Sequence, residues 1–279
     1  MDNQLFSSSN FSYKEQISRS TSWGHRFLFL NLILTCLIGT AYVYAAPETE
    51  SFVAFCYLLV TWLGHLSFVA FIVYLCLLFP LTFIGKFKLY KTLSVIIAVI
   101  AHTILLIDAK LFLVIKAHLS MQVLGLMLRD LDFNTGLNYN FLFIAIPLII
   151  VIECIFAQLS TKSLYRRGHS LSYKIVLLTV VISFLSSHCL HIWADAVNYE
   201  HINTLRSVFP AHYPMTARSF LTNHGWLDEN SLSKDSEDDT AFTYPLRSIE
   251  ISDNSSNKNV LTIFINGLSY QDLSSHLSG

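Results

Sequence analysis

Charged residues are spaced so unevenly in this sequence that long stretches contain none. Residues 27–47, 51–85, 133–152 and 175–194 form runs of 21, 35, 20 and 20 residues without Asp, Glu, Lys or Arg. A bilayer core takes about 20 mostly apolar residues per helix, so each run can cross once. A fifth run, residues 92–107, has 16, and LFLVI extends it beyond Asp108 and Lys110. The 35-residue run is too short for two crossings and a turn, and Pro80 marks where its helix frays or stops. Five spans are therefore expected, near 26–46, 54–79, 91–112, 139–161 and 174–194. Backbone groups in hydrocarbon must bond within their own segment, so the fold class is an all-α membrane protein, a five-transmembrane-helix bundle.

Only 13% of the residues are charged, against about 25% in a soluble domain. The formal net charge of -1 excludes the polycationic surface that nucleic acid selects. Cys36, Cys56, Cys76, Cys154 and Cys189 all fall in apolar runs, where they are expected to pack as small buried hydrophobes. Their spacing matches neither a disulfide framework nor a zinc site.

Lys and Arg near span ends stay on the cytoplasmic side, which sets the direction. Lys14, Arg19 and Arg26 precede the first span; Lys86, Lys88 and Lys91 form the second loop; Lys162, Arg166, Arg167 and Lys174 form the fourth. The first loop has no basic residue and the third only Lys110, Lys116 and Arg129. The amino terminus is thus expected inside and everything after Asp195 outside, with Trp23 and Trp193 in opposite aromatic belts. Val43-Tyr44-Ala45 has the small residues of a signal cleavage site, but the apolar run is longer than a signal core and a polar tail precedes it. An uncleaved anchor is expected.

The domain reading is a cytoplasmic tail at 1–25, the five-helix domain at 26–195, a juxtamembrane segment at 196–227, an acidic linker at 228–258 and a further segment at 259–279. The linker LDENSLSKDSEDDTAF is Ser-rich and without apolar period. A strand is expected from Asn259 to Ile265, running into an Asn266-Gly267 turn. In the juxtamembrane segment, Pro214 is expected to open a short helix that Gly225 closes near His224.

Ionisable groups inside spans need a partner or water, which singles out His65, His102, Asp108, Glu153, His188 and His191. His188, His191 and Asp195 share a helical face, and with Asp108 they could ligate zinc; hydrogen-bonded structure is the better reading. Glu153 alone gives weak support for an ion path, and no internal repeat suggests a transporter. The basic residues Lys86, Lys88, Lys91, Lys162, Arg166 and Arg167 are candidates for contact with anionic lipid or a partner, although topology alone accounts for them. The segment Tyr213-Pro214-Met215-Thr216-Ala217-Arg218-Ser219 offers more. Free N–H groups at a helix start, two hydroxyls and a guanidinium would suit an anion, although an ordinary capped helix explains them too.

The stretch LSSHCLHIWADAVNYEHINTLRSVFPAHYPMTARSFLTNHGWLD, residues 185–228, resembles the PbgA/YejM family of Gram-negative inner-membrane proteins. The features that match are HxWADA leaving the last span, FPxxYPMTARSF, and the helix end containing His-Gly. The resemblance implies five amino-terminal spans, a periplasmic linker and the first strand of a truncated α/β sulfatase-like domain, KNVLTIFINGLSYQDL. Asn266 stands where that superfamily places a metal-ligating Asp, and the sequence stops at Gly279 before a nucleophile or further metal ligands. No catalytic residue, metal or cofactor is expected.

What the resemblance implies is a non-enzymatic regulator of lipopolysaccharide synthesis. It would sense lipid A at the periplasmic face through residues 213–219. It would signal through a membrane-anchored adaptor to proteolysis of the deacetylase that commits to lipid A. Cardiolipin binding or transport is a further implication. The alternative is the membrane anchor of a phosphoethanolamine transferase or sulfatase-like hydrolase.

Overall fold

The computed structural model describes residues 12–49, 51–129, 140–164 and 170–227. The chain divides into two compact units, Met1–Leu232 and Ser233–Gly279, and every described residue belongs to the first. The linker at 228–258 and the strand expected at 259–265 lie outside the described residues.

Among the described residues, five helices are long and apolar enough to cross a membrane, as the charge-free runs require. They are α1 (Tyr13–Ala45), α2 (Phe52–Val73) with its continuation to Ile84, α4 (Phe87–Ile115), α6 (Phe141–Leu164) and α7 (Ser170–Ala196). Helix α1 starts well before the expected span edge. Ser12 and Glu15 close a capping box there, the Ser12 hydroxyl accepting from the Glu15 N–H and the Glu15 carboxylate from the Ser12 N–H. Part of the segment read as a tail is therefore helix.

Pro80 acts differently from a simple stop. It offers no N–H to the turn before it, and the ladder widens into a π turn at Tyr74–Leu78. The chain then continues through the single turn α3 (Phe79–Leu81) and a 3-10 turn at Thr82–Ile84. Gly85 ends this element at φ 68°, and the Tyr13 ring lies so close that a β-carbon there would come within 2.6 Å of it. The Tyr13 hydroxyl donates to the Phe83 carbonyl at 2.8 Å, fixing the start of α1 to this turn.

Helix α1 packs against α2, α4 and α6, while α7 rests mainly on α2. Helical period explains which face turns inward. On α4, Tyr90, Ser94, Ala98 and His102 recur every four residues and are buried, whereas Ile96, Ile100 and Ile104 are half exposed to the surroundings. Polar residues thus face the bundle and aliphatic ones face lipid. Gly64 brings α2 and α7 together, since a β-carbon there would lie 2.5 Å from the Phe184 backbone nitrogen.

Trp23 corrects the aromatic-belt reading. It is fully buried and donates to the Ala157 carbonyl at 3.3 Å and the Thr161 hydroxyl at 3.1 Å, because α6 covers it. Trp193 is half exposed, as a belt residue would be. The cysteines also divide: Cys36 is buried, but Cys76, Cys154 and Cys189 are exposed on spans whose outer faces meet lipid rather than protein. Near the end of the bundle opposite the basic loops, α5 (Met121–Arg129) follows α4. Beyond α7 come α8 (Glu200–Asn203), a 3-10 turn at Thr204–Ser207 and α9 (Arg218–Asn223).

Candidate functional site

The juxtamembrane segment is seated on the bundle by its apolar residues. Ile202, Leu205, Val208 and Phe209 are almost fully buried in one cluster with Tyr42, Tyr57, Ala109, Phe112 and Ala194. Burying side chains of this size against the helix ends stabilises by roughly 1.5–3 kcal/mol each.

Histidines then hold the chain that follows. His65 of α2 donates from Nε2 to the Pro210 carbonyl at 2.9 Å. His212 donates from Nδ1 to the Arg206 carbonyl at 3.1 Å, and its ring meets His65 edge-on with centroids 4.7 Å apart. From α7, His188 Nδ1 accepts the Met215 N–H at 3.2 Å, and His191 Nδ1 donates to the Met215 carbonyl at 3.2 Å. One backbone residue is thus gripped on both sides by two rings one turn apart. The grip requires neutral His188, because Nδ1 must keep its lone pair. Burial first, and then the neighbouring His65, bring the His212 imidazole down to about 4.

This arrangement shortens the helix expected from Pro214 to His224: its end near His224 and the closing Gly225, at φ 69°, stand as expected, but its start moves. Residues 212–217 run without helical bonds, and α9 begins only at Arg218 with Ala217 as its cap. The local signal of proline at a helix start loses to the tertiary bonds at Met215, which occupy the groups a helical turn would use. A six-residue helix leaves little aligned dipole for an anion, so Arg218 and the hydroxyls remain its possible partners. Tyr213 and Met215 are 88% and 59% exposed, Thr216 and Ser219 are exposed, and Pro214, Ala217 and Arg218 are partly buried. The structure thus places all seven residues on one segment, four of them facing outward.

Asp108 does not join His188, His191 and Asp195. Its carboxylate accepts from the Tyr42 hydroxyl at 2.7 Å, His118 Nδ1 at 2.8 Å and the Leu119 N–H at 2.5 Å. His118 also donates from Nε2 to the Ser207 carbonyl at 3.0 Å. The ring thus bridges the Asp108 carboxylate and the Ser207 carbonyl, one at each nitrogen. His118 escaped sequence reasoning because it lies in a loop, where histidine is unremarked; only the fold brings it to Asp108. No group of three or more metal-ligating side chains is assembled among the described residues, so the zinc alternative finds no ligand set.

Lys86, Lys88 and Lys162 are exposed and Lys91 is partly exposed at the basic end; Arg166 and Arg167 lie outside the described residues. Inside the bundle, Glu153 is fully buried beside Asn31 and His102, at 3.3 Å and 3.0 Å.

A family profile described as "Domain of unknown function (DUF3413)" matches residues 9–251. The inner membrane protein YejM of Salmonella typhimurium strain LT2 is 35% identical over 267 residues, covering 92% of this chain and 45% of that protein. The chain belongs to the YejM family. A Haemophilus influenzae protein described as uncharacterized is 32% identical over 268 residues, covering 94% of this chain and 46% of its own length. The chain therefore spans less than half the length of the curated relatives it matches. Its five apolar helices and the name of its YejM relatives make it a multi-pass inner-membrane protein.

Proposed function

We propose that this chain is a non-enzymatic regulator of lipopolysaccharide synthesis that senses lipid A at the periplasmic face of the inner membrane. It signals through a membrane-anchored adaptor to proteolysis of the committed-step deacetylase. In this reading the amino terminus and the loops bearing Lys86, Lys88, Lys91, Lys162, Arg166 and Arg167 are cytoplasmic, where they meet the adaptor or anionic lipid.

The observation that carries the reading is the grip of His188 and His191 on Met215. It holds the backbone beside the last span while Tyr213, Met215, Thr216 and Ser219 face outward. A segment ordered in advance loses less entropy when it binds. Arg218 supplies a planar fork for phosphate, the hydroxyls supply further donors, and exposed Met215 and Phe220 suit the apolar border beneath a headgroup. These are the chemical needs of a phosphorylated lipid rooted in the same bilayer.

The test is co-purification of lipopolysaccharide with the full chain. Arg218→Ala removes a charge-assisted bond of about 1.5–3 kcal/mol and should weaken retention roughly ten- to a hundredfold. Undiminished retention in both Arg218→Ala and Thr216→Ala would remove the segment as the site. Displacement by cardiolipin vesicles at equal phosphate separates the two lipid sources. The second reading is the membrane anchor of a phosphoethanolamine transferase or sulfatase-like hydrolase. Metal-dependent release of phosphate or sulfate by the purified chain, abolished by Asn266→Ala, would establish that reading instead.

A further inference from the structure

At mid-membrane, α1, α4 and α6 enclose a polar group with no role in the lipid reading. Glu153 of α6 is fully buried, and Oε2 accepts from Asn31 Nδ2 at 3.3 Å. Its other oxygen, Oε1, lies 3.0 Å from His102 Nδ1 but has no hydrogen-bond partner of good geometry, because an Nδ1–H directed at the Ala98 carbonyl, also 3.0 Å away, points past it. His102 Nε2 stands 3.1 Å from the Thr35 hydroxyl. The ionisable groups that face this pair from the packed helices are each other and, across a cleft, the Tyr74 phenol of α2; α1 contributes the neutral Asn31 and Thr35.

A bare carboxylate beside a neutral ring would bury a net negative charge in low dielectric and leave Oε1 unsatisfied. One added proton removes both defects. It sits on Oε1 and is donated to Nδ1 while Nε2–H donates to Thr35, an arrangement that is electrically neutral.

A cleft of about 90 Å³ opens beside the pair, lined by His102, Asn31, Thr35 and Tyr74 among mostly apolar side chains.

We propose that Glu153 and His102 form a proton-binding site inside the bundle. Ionisable groups at this depth are a functional signature in membrane proteins. The inference stands independently of lipid binding.

Infrared difference spectroscopy of the full chain in lipid vesicles, recorded across a pH titration, tests it. A protonated-carboxyl band should vanish as carboxylate bands grow, and Glu153→Gln, which keeps the shape, should lose that band. His102→Gln keeps the carboxyl and should move the midpoint of the band by about one pH unit or more. Difference spectra identical in wild type, Glu153→Gln and His102→Gln would overturn the site.

Discussion

Asp108 accepts a 2.8 Å hydrogen bond from His118, and the same ring reaches the Ser207 carbonyl at 3.0 Å, so one imidazole ties the end of α4 to the juxtamembrane segment. The carboxylate is nearly fully buried and the ring about one-fifth exposed. Removing the carboxylate orphans three donors, His118 Nδ1, the Tyr42 hydroxyl and the Leu119 N–H. Asp108→Ala should destabilise by about 3–5 kcal/mol, the usual result of breaking a buried pair on one side. Thermal unfolding in detergent measures the loss, and limited proteolysis should cut first within residues 199–217. A melting point equal to wild type would show that the clip contributes nothing.

The contact of Gly64 with Phe184 predicts a sharp contrast between two glycines. Gly64→Ala forces a β-carbon into the backbone of α7 and should cost about 1–3 kcal/mol, as overpacking does. Gly125→Ala meets nothing within 4 Å in α5 and should be neutral or stabilising by up to about 1 kcal/mol. Paired unfolding curves decide, and equal effects at both positions would contradict the close α2–α7 packing.

His212 links stability to pH. Burial holds its folded-state pKa near 4, below the ordinary 6.5, so the unfolded chain binds more protons between these values. Its contribution is fully present above pH 6.5 and is lost as pH falls through about 4. The loss amounts to about 3 kcal/mol at most. Unfolding measured from pH 7 to 4 should show a decline that His212→Asn flattens. The same slope in both proteins would mean that other groups carry it.

Topology has its own expected outcome. Reporter fusions after residue 170 and after residue 230 should report opposite compartments, with the first cytoplasmic, because ten basic residues flank the spans on one side. The same compartment for both would contradict a single crossing between residues 170 and 230, and with it the five-span fold.

The spans were legible because hydrocarbon imposes a one-dimensional requirement. Length without charge is read along the chain, and the runs at 27–47, 51–85, 133–152 and 175–194 correspond to helices that the bundle contains. The need of Glu153 and Asp108 for partners was equally visible, since a lone carboxylate among apolar residues has no other way to remain buried. The identity of those partners was not. Asn31 and His102 come from two other helices, and His118 comes from a loop.

For the same reason the juxtamembrane segment misled a local reading. Proline at position 214 favours a helix start by its own φ angle, but the bonds from His188 and His191 to Met215 are long-range and outweigh it. Trp23 looked like a belt residue for want of any sign that α6 would cover it. The sequence by itself determined how many helices cross and which residues could not be left without a partner, because the solvent enforces both on each segment separately. Tertiary structure alone decided which histidine meets which carboxylate and where the outer segment is held, because those energies exist only once helices distant in sequence lie within hydrogen-bonding distance.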